Sequence, residues 1–268
     1  MCLILFAAGA HPRYPLIVAA NRDEAYRRPA AAADFWTDQR HVYGGRDLEQ
    51  GGTWLGIAQN GRFAAVTNYR LGHGGADRAR SRGELTSDYL VGTDDAGTYL
   101  KAISERAHEY KGFSLIAGDL DRIYFFSNHG SGVEAVAAGV HGLSNHLLDE
   151  PWPKVRQGIA VLEGLLGASE DELTRRLFDV LADRTRAPDE LLPATGIEME
   201  RERDLSPAFI AGETYGTRAS TVLLIEARGE ALFSERTYGP RGAQLGRSER
   251  RFRIDRALTP RSSAPVRA

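Results

Sequence analysis

Short apolar runs bounded by turn residues dominate the first third of the chain, at residues 2–8, 15–20, 54–58 and 63–67. Runs of that length with such boundaries predict strands. Asn60-Gly61, between the last two, predicts a tight hairpin, because both central positions of a type I′ turn need positive φ. Residues 93–109 switch to a helical period, with Tyr99, Leu100, Ile103 and Ala107 on one face and Asp94 and Asp95 suited to the first turn. Residues 113–117 and 123–127 predict a second hairpin across Gly118-Asp119-Leu120-Asp121, and a further strand is expected near 133–137.

The helical period returns at Val155, Ile159, Leu162 and Leu166, with Asp149 ahead of them and Gly167 closing the segment. Ser169 and Glu172 form a capping-box pattern that opens a second helix, which turns Leu173, Leu177, Val180 and Leu181 inward. Residues 186–216, rich in Pro, Glu and Arg, predict a long surface excursion. Strands resume at 219–226, 231–238 and 251–254. Hairpin pairs with helices inserted in blocks, and no regular βαβ alternation, imply an α+β fold of antiparallel sheets with helices on their outer faces. One domain is expected over residues 1–258, with a disordered tail at 259–268 whose Pro, Ser and Arg cannot pack.

Length and composition fit that reading: 268 residues, 42% hydrophobic and 26% charged, can bury a sizeable core in one domain. Lys and Arg number 34 against 36 Asp and Glu, so nothing in the bulk charge favours nucleic acid or an anionic membrane. A small or neutral molecule is the better expectation for a partner. A single cysteine excludes an intramolecular disulfide framework, a Cys-cluster zinc site and covalent haem attachment, and points to a reducing, cytoplasmic setting. The N-terminal run has no basic region ahead of it and meets His11, Pro12 and Arg13 too soon for a signal peptide. No apolar run reaches the roughly 20 residues that span a bilayer. Residues 51–56, Gly-Gly-Thr-Trp-Leu-Gly, lack the Gly-Lys-Ser/Thr ending of a phosphate loop, and the seven histidines show no His-Glu-x-x-His spacing, so no nucleotide or metal site is expected. Arg78, Arg80 and Arg82, after the Gly-rich residues 73–75, could meet an anionic ligand, although a solvated loop is the commoner fate of such a run.

Candidate chemistry centres on Cys2. As a small apolar residue it could simply start a buried strand. Its small side chain also permits removal of Met1, which would leave thiol and free α-amine on one residue, so that the amine serves as base for its own nucleophile. Such a site needs a cation near the thiol, a carboxylate near the amine and donors for an oxyanion. Asn21-Arg22-Asp23-Glu24, directly after an apolar run, offers polar groups at the end of the neighbouring strand, where a solvated turn is the plainer reading.

Met1-Cys2-Leu3, Asn21-Arg22-Asp23-Glu24, residues 51–56, Thr67-Asn68-Tyr69-Arg70, Gly142-Leu143-Ser144-Asn145 and Thr217-Arg218-Ala219-Ser220-Thr221 stand in an order and register that resembles the NRDE family, also called the Transport and Golgi organization family, over residues 1 to about 240. The resemblance implies an N-terminal nucleophile (Ntn) hydrolase fold, a four-layer αββα sandwich, similar to the choloylglycine hydrolase and penicillin V acylase group, which breaks linear C–N amide bonds. It implies that Cys2 attacks, Arg22 polarises the thiol, and Asp23 or Glu24 holds the amine. Asn68 would donate to the oxyanion, Asn145 would position the site, and Arg218 would stand as its late arginine. Asn21, Glu24, Trp54 and Tyr69 would contact substrate. In the hydrolases the arginine precedes its aspartate by three residues, whereas Arg22 and Asp23 are adjacent and alternate faces in an extended chain. No cofactor is needed for such chemistry. The resemblance also implies the alternative of a carrier without catalysis, taking haem or acyl-CoA in haem trafficking and lipid homeostasis.

Overall fold

The structure is a computed structural model that describes residues 2–72 and 80–255. Numbered along the chain, one six-stranded sheet runs in the order β10 (Gly139–Leu143), β1 (Cys2–Ala8), β2 (Leu16–Ala25), β11 (Tyr215–Ile225), β12 (Glu230–Tyr238) and β13 (Gln244–Arg253). The other, seven-stranded, is a meander of β3 (Ala30–Phe35), β4 (Val42–Asp47), β5 (Leu55–Ala58), β6 (Phe63–Asn68), β7 (Phe113–Gly118), β8 (Ile123–Ser127) and β9 (Glu134–Ala135). Every pairing is antiparallel.

Side-chain alternation sorts the core into layers. In β1, Ile4 and Phe6 point between the sheets while Leu3, Leu5 and Ala7 point outward. In β2, Leu16, Val18 and Ala20 point between the sheets and Ile17 and Ala19 outward. The outward set packs under α3 (Pro153–Gly164) and α4 (Glu170–Leu181). The far face of the second sheet packs under α1 (Arg82–Val91) and α2 (Ala96–Glu105). The result is the α+β, four-layer αββα sandwich that the hairpin pattern and the resemblance imply. Full burial of each Leu, Ile or Phe contributes about 1.5–3 kcal/mol, and a one-residue slip of β1 would exchange its two faces, so the register is held by several such side chains at once.

Five expectations from the sequence need correction. The strand expected to end at residue 20 continues to Ala25, so the Asn21–Glu24 tetrad is strand and not a solvated turn. The Asn60-Gly61 connection is three residues long, closed by Ala58 and Arg62, with only Gly61 at positive φ (86°), so it is not a two-residue type I′ turn. The expected helix at 93–109 starts only after Asp95, its N-cap, and ends at Glu105. α1, unforeseen, starts at Arg82, a residue expected in a loop, and runs on to Val91, with Ser81 as its N-cap and Leu85, Thr86, Tyr89 and Leu90 buried at helical spacing. Part of the 186–216 excursion folds as α5 (Met199–Leu205), with Leu205 and Glu202 buried. Residues 73–79, which include Arg78, and the expected tail at 259–268 lie outside the described residues.

Asn21 shows what outward parity does to a polar residue. Its side chain, fully buried, donates to the Leu181 and Ala208 carbonyls, both at 2.8 Å, and accepts from Ser220 Oγ at 2.6 Å. It ties the end of α4 and the chain at residue 208 to the centre of the first sheet. Asn21→Ala leaves three buried partners without their bond and should lower unfolding stability by about 3 kcal/mol, read as a shift of the urea midpoint; no change would mean that Asn21 has no part in holding α4.

Candidate active site at the Cys2 end of the sheets

Cys2 heads β1 and pairs in register with Arg22 of β2. Directly opposed residues share a face, and parity puts both on the face that looks toward the second sheet. There the inter-sheet layer opens into a cavity of about 500 Å³ lined by Cys2, Arg22, Asp23, Glu24, Asn68 and Arg218, with Trp54 on its apolar side. Arg218 reaches it through a local irregularity: Thr217 opposes Asp23 and Ala219 opposes Arg22, so Arg218 is the extra residue of a bulge. Bulges re-aim a side chain beside many sites. Its guanidinium donates to the Ala25 and Arg28 carbonyls at 3.0 and 2.9 Å.

The other flank of Cys2 is set by β10, which was not foreseen because Gly139–Leu143 lacks an apolar alternation. β10 pairs with β1 and delivers Ser144 and Asn145. Ser144 Oγ donates to the Cys2 carbonyl at 3.0 Å. Asn145 Oδ1 accepts from the Cys2 nitrogen at 3.4 Å, and its amide donates to the Asn68 carbonyl at 3.0 Å. Thr67 Oγ1 donates to the Ser144 carbonyl and the Arg70 N–H to the Asn145 carbonyl, so both sheets meet at this point.

Asp23 has outward parity and is buried, accepting from Thr217 Oγ1 at 2.7 Å. Burial raises its pKa; Lys154, the Thr217 hydroxyl and Arg22 oppose that rise. Lys154 in the first turn of α3 is the residue that sequence reasoning missed. It is buried, donates to the Leu205 carbonyl at 3.0 Å, and burial pushes it down to about 8 against the pull of Asp23. A signal existed: Lys154, Gly158 and Leu162 lie four apart on one buried stripe, where a lysine is out of place. Burial pushes the Cys2 thiol up as well, while the Asp23 backbone N–H and Arg22 pull it down. The resting sulfur is therefore a thiol.

Two expected contact residues lie away from the cavity. Asn21 faces α4, and Tyr69 stacks on His129 with a ring-centroid distance of 4.4 Å while its hydroxyl meets His146 Nε2 at 2.7 Å. Glu24 lines the cavity but binds the N–H of Ala25, next to it. Among the described residues no group of three His, Cys, Asp or Glu side chains is placed to hold a metal ion, and no helix is long and apolar enough to cross a membrane.

The family model for Transport and Golgi organisation 2 matches residues 1–240. The chain belongs to that family. The Transport and Golgi organization protein 2 homolog of Bos taurus is 42% identical over 260 residues, covering 88% of this chain and 93% of the relative. The Homo sapiens homolog is 38% identical with the same coverage. Among solved structures, a Caenorhabditis elegans N-acylethanolamine-hydrolyzing acid amidase ortholog superposes with a TM-score of 0.50 at 13% identity, over 83% of this chain and 92% of its own. At that identity the likeness is one of fold. This chain thus shares an Ntn-hydrolase-like sandwich fold, with Cys2, Arg22, Asp23 and Glu24 lining one cavity.

Lys154 yields a pH test. A lysine titrating near 8 in the folded state and near its ordinary 10.5 when unfolded binds fewer protons folded, so stability rises with pH between those values. Relative to Lys154→Met, the wild type should gain unfolding free energy steadily from pH 8 to 10, measured by urea titration at each pH; parallel curves would mean that Lys154 is not perturbed.

Proposed function

We propose that this protein is a cysteine N-terminal nucleophile amidohydrolase or acyltransferase that acts on a linear C–N amide through a thioester on Cys2. The observation that carries the reading is the placement of Cys2 at the cavity, its nitrogen facing Asn145 Oδ1 and its side chain sharing a face with Arg22. With Met1 removed, that nitrogen is an α-amine whose ordinary pKa of about 7.7–8.0 suits a base near neutrality. Because the sulfur rests as a thiol, attack needs that base. The amine takes the thiol proton as sulfur bonds to the amide carbonyl carbon. The oxyanion so formed falls to donors from Asn68 and Arg218. The C–N bond then breaks, the departing nitrogen takes the proton from the ammonium, and a thioester remains. Water, or a second amine in acyl transfer, gives a proton to the α-amine as it adds to the thioester carbonyl; the C–S bond then breaks, the sulfur takes that proton, and the acyl group leaves as a carboxylic acid or a new amide. Asp23 and Asn145 keep the amine in place throughout.

The worm relative's name supplies a neutral amide, an N-acylethanolamine, to screen first. Intact mass should show loss of Met1, and a slow amide substrate should add one acyl mass to the wild type and none to Cys2→Ala. Asn68→Ala should lower kcat/KM by about 10²–10³ with the acyl mass still detectable. Retention of Met1 would sink the mechanism, since no α-amine would then adjoin the thiol.

A second reading is favoured by the burial that holds Cys2 protonated: a carrier that uses the same cavity for haem or acyl-CoA without turnover. Saturable spectral titration with haem that survives Cys2→Ala, with no acyl mass on any amide, would select it.

A further inference from the structure

The cavity is lined by seven basic and four acidic side chains, so its charge is far more positive than the chain as a whole. Several of the bases are already matched: Arg28 binds Asp47 at 2.7 Å, Arg46 binds Asp38 at 2.8 Å, and Arg80 binds Glu84. Three are not. Arg82 donates to the Gly112 carbonyl at 3.1 Å and Arg218 to two carbonyls, and neither makes an ion pair with a described residue. Arg22 is 9% exposed, its nearest carboxylate oxygen is 3.9 Å away on Asp47, and its Nη1 is buried with no hydrogen-bond partner among the described residues. A buried guanidinium nitrogen without an acceptor costs stability unless something else supplies one.

The first turn of α1 adds to this field. Ser81, Arg82 and Gly83 open the helix against the cavity, presenting the positive end of its dipole. Gly52 lets that turn come so close: a Cβ there would stand 2.4 Å from the Gly83 carbonyl carbon. Glu24 acts on both Arg82 and Arg218, and Arg218 is repelled by Arg22, so the three guanidiniums share one electrostatic neighbourhood.

We propose that Arg22, Arg82 and Arg218, with the N-terminus of α1, form a subsite for a phosphate ester group carried on an organic ligand. A carboxylate has two oxygens and one charge, enough for a single bidentate guanidinium, whereas a phosphate monoester has three terminal oxygens and close to two charges. Trp54 and Val66 on the cavity wall receive the apolar remainder. The subsite rests on the reading of the cavity as the ligand site and is independent of turnover at Cys2.

Calorimetry on the full chain with octyl phosphate, octanoate and octanamide tests it, in the wild type and in Cys2→Ala. Octyl phosphate should bind at least about tenfold more tightly than octanoate, consistent with one further charge-assisted contact, and octanamide should bind most weakly. Added sodium chloride should weaken octyl phosphate and leave octanamide unchanged. Arg82→Met should remove most of the phosphate preference, with Arg82→Lys recovering part of it and unfolding midpoints reporting that both variants fold. Equal binding of octyl phosphate and octanoate, no binding of either, or a preference untouched by Arg82→Met would overturn the proposal. An acyl-enzyme formed without phosphate preference would defeat the subsite alone; phosphate preference without any acyl-enzyme would defeat turnover alone.

Discussion

The pairing of β1 with β2, Cys2 opposite Arg22, is the constraint on which the rest of the site depends. It is enforced at a distance from the chemistry. Ile4, Phe6, Leu16, Val18 and Ala20 pack between the sheets while Leu3, Leu5, Ile17 and Ala19 pack under α3 and α4, and a shift of one residue would reverse all of them. The same alternation distributes the tetrad. Asn21 and Asp23 are sent toward the helices, Arg22 and Glu24 toward the cavity, so four consecutive polar residues do two separate jobs. Asn21 fastens α4, and Asp23 meets Thr217 and the field of Lys154.

Around that pairing the two sheets are joined by backbone-directed bonds as well as by the Arg22–Asp47 ion pair at 3.9 Å. Thr67 and Arg70 from the β6 end reach Ser144 and Asn145, which in turn hold the two ends of the Cys2 peptide unit. Glu235 of β12 makes a comparable link, accepting from the Ala33 N–H at 2.7 Å, and burial pushes it up to about 7. Links directed at the backbone in this way cost the interior less desolvation than paired charges would. The less fully matched guanidiniums of Arg22, Arg82 and Arg218 collect at the cavity. The cavity thus joins Cys2 to a largely basic wall.

Much of this was legible in the chain itself. Alternation and turn residues marked the strands at 2–8, 63–67, 113–117, 123–127 and 231–238 within one to two residues, and Ser169 marked the start of α4, where its side chain accepts from the Glu172 N–H. The hairpin order excluded a parallel sheet, and the spaced motifs brought Cys2, Arg22, Asn68 and Arg218 to one cavity. These features are local or periodic, so they survive in one dimension. What the tertiary structure alone decided has no such period. β10 is a strand because β1 offers it an edge; Arg218 points inward because a bulge turns it; Lys154 is a buried charge because α3 lies over Asp23. Asn21 and Tyr69, equally polar in sequence, were taken up by packing because carbonyls and rings from distant segments reached them first. Sequence determines which faces a strand offers. Only the packed neighbours determine which polar groups are consumed holding the fold and which remain to meet a ligand.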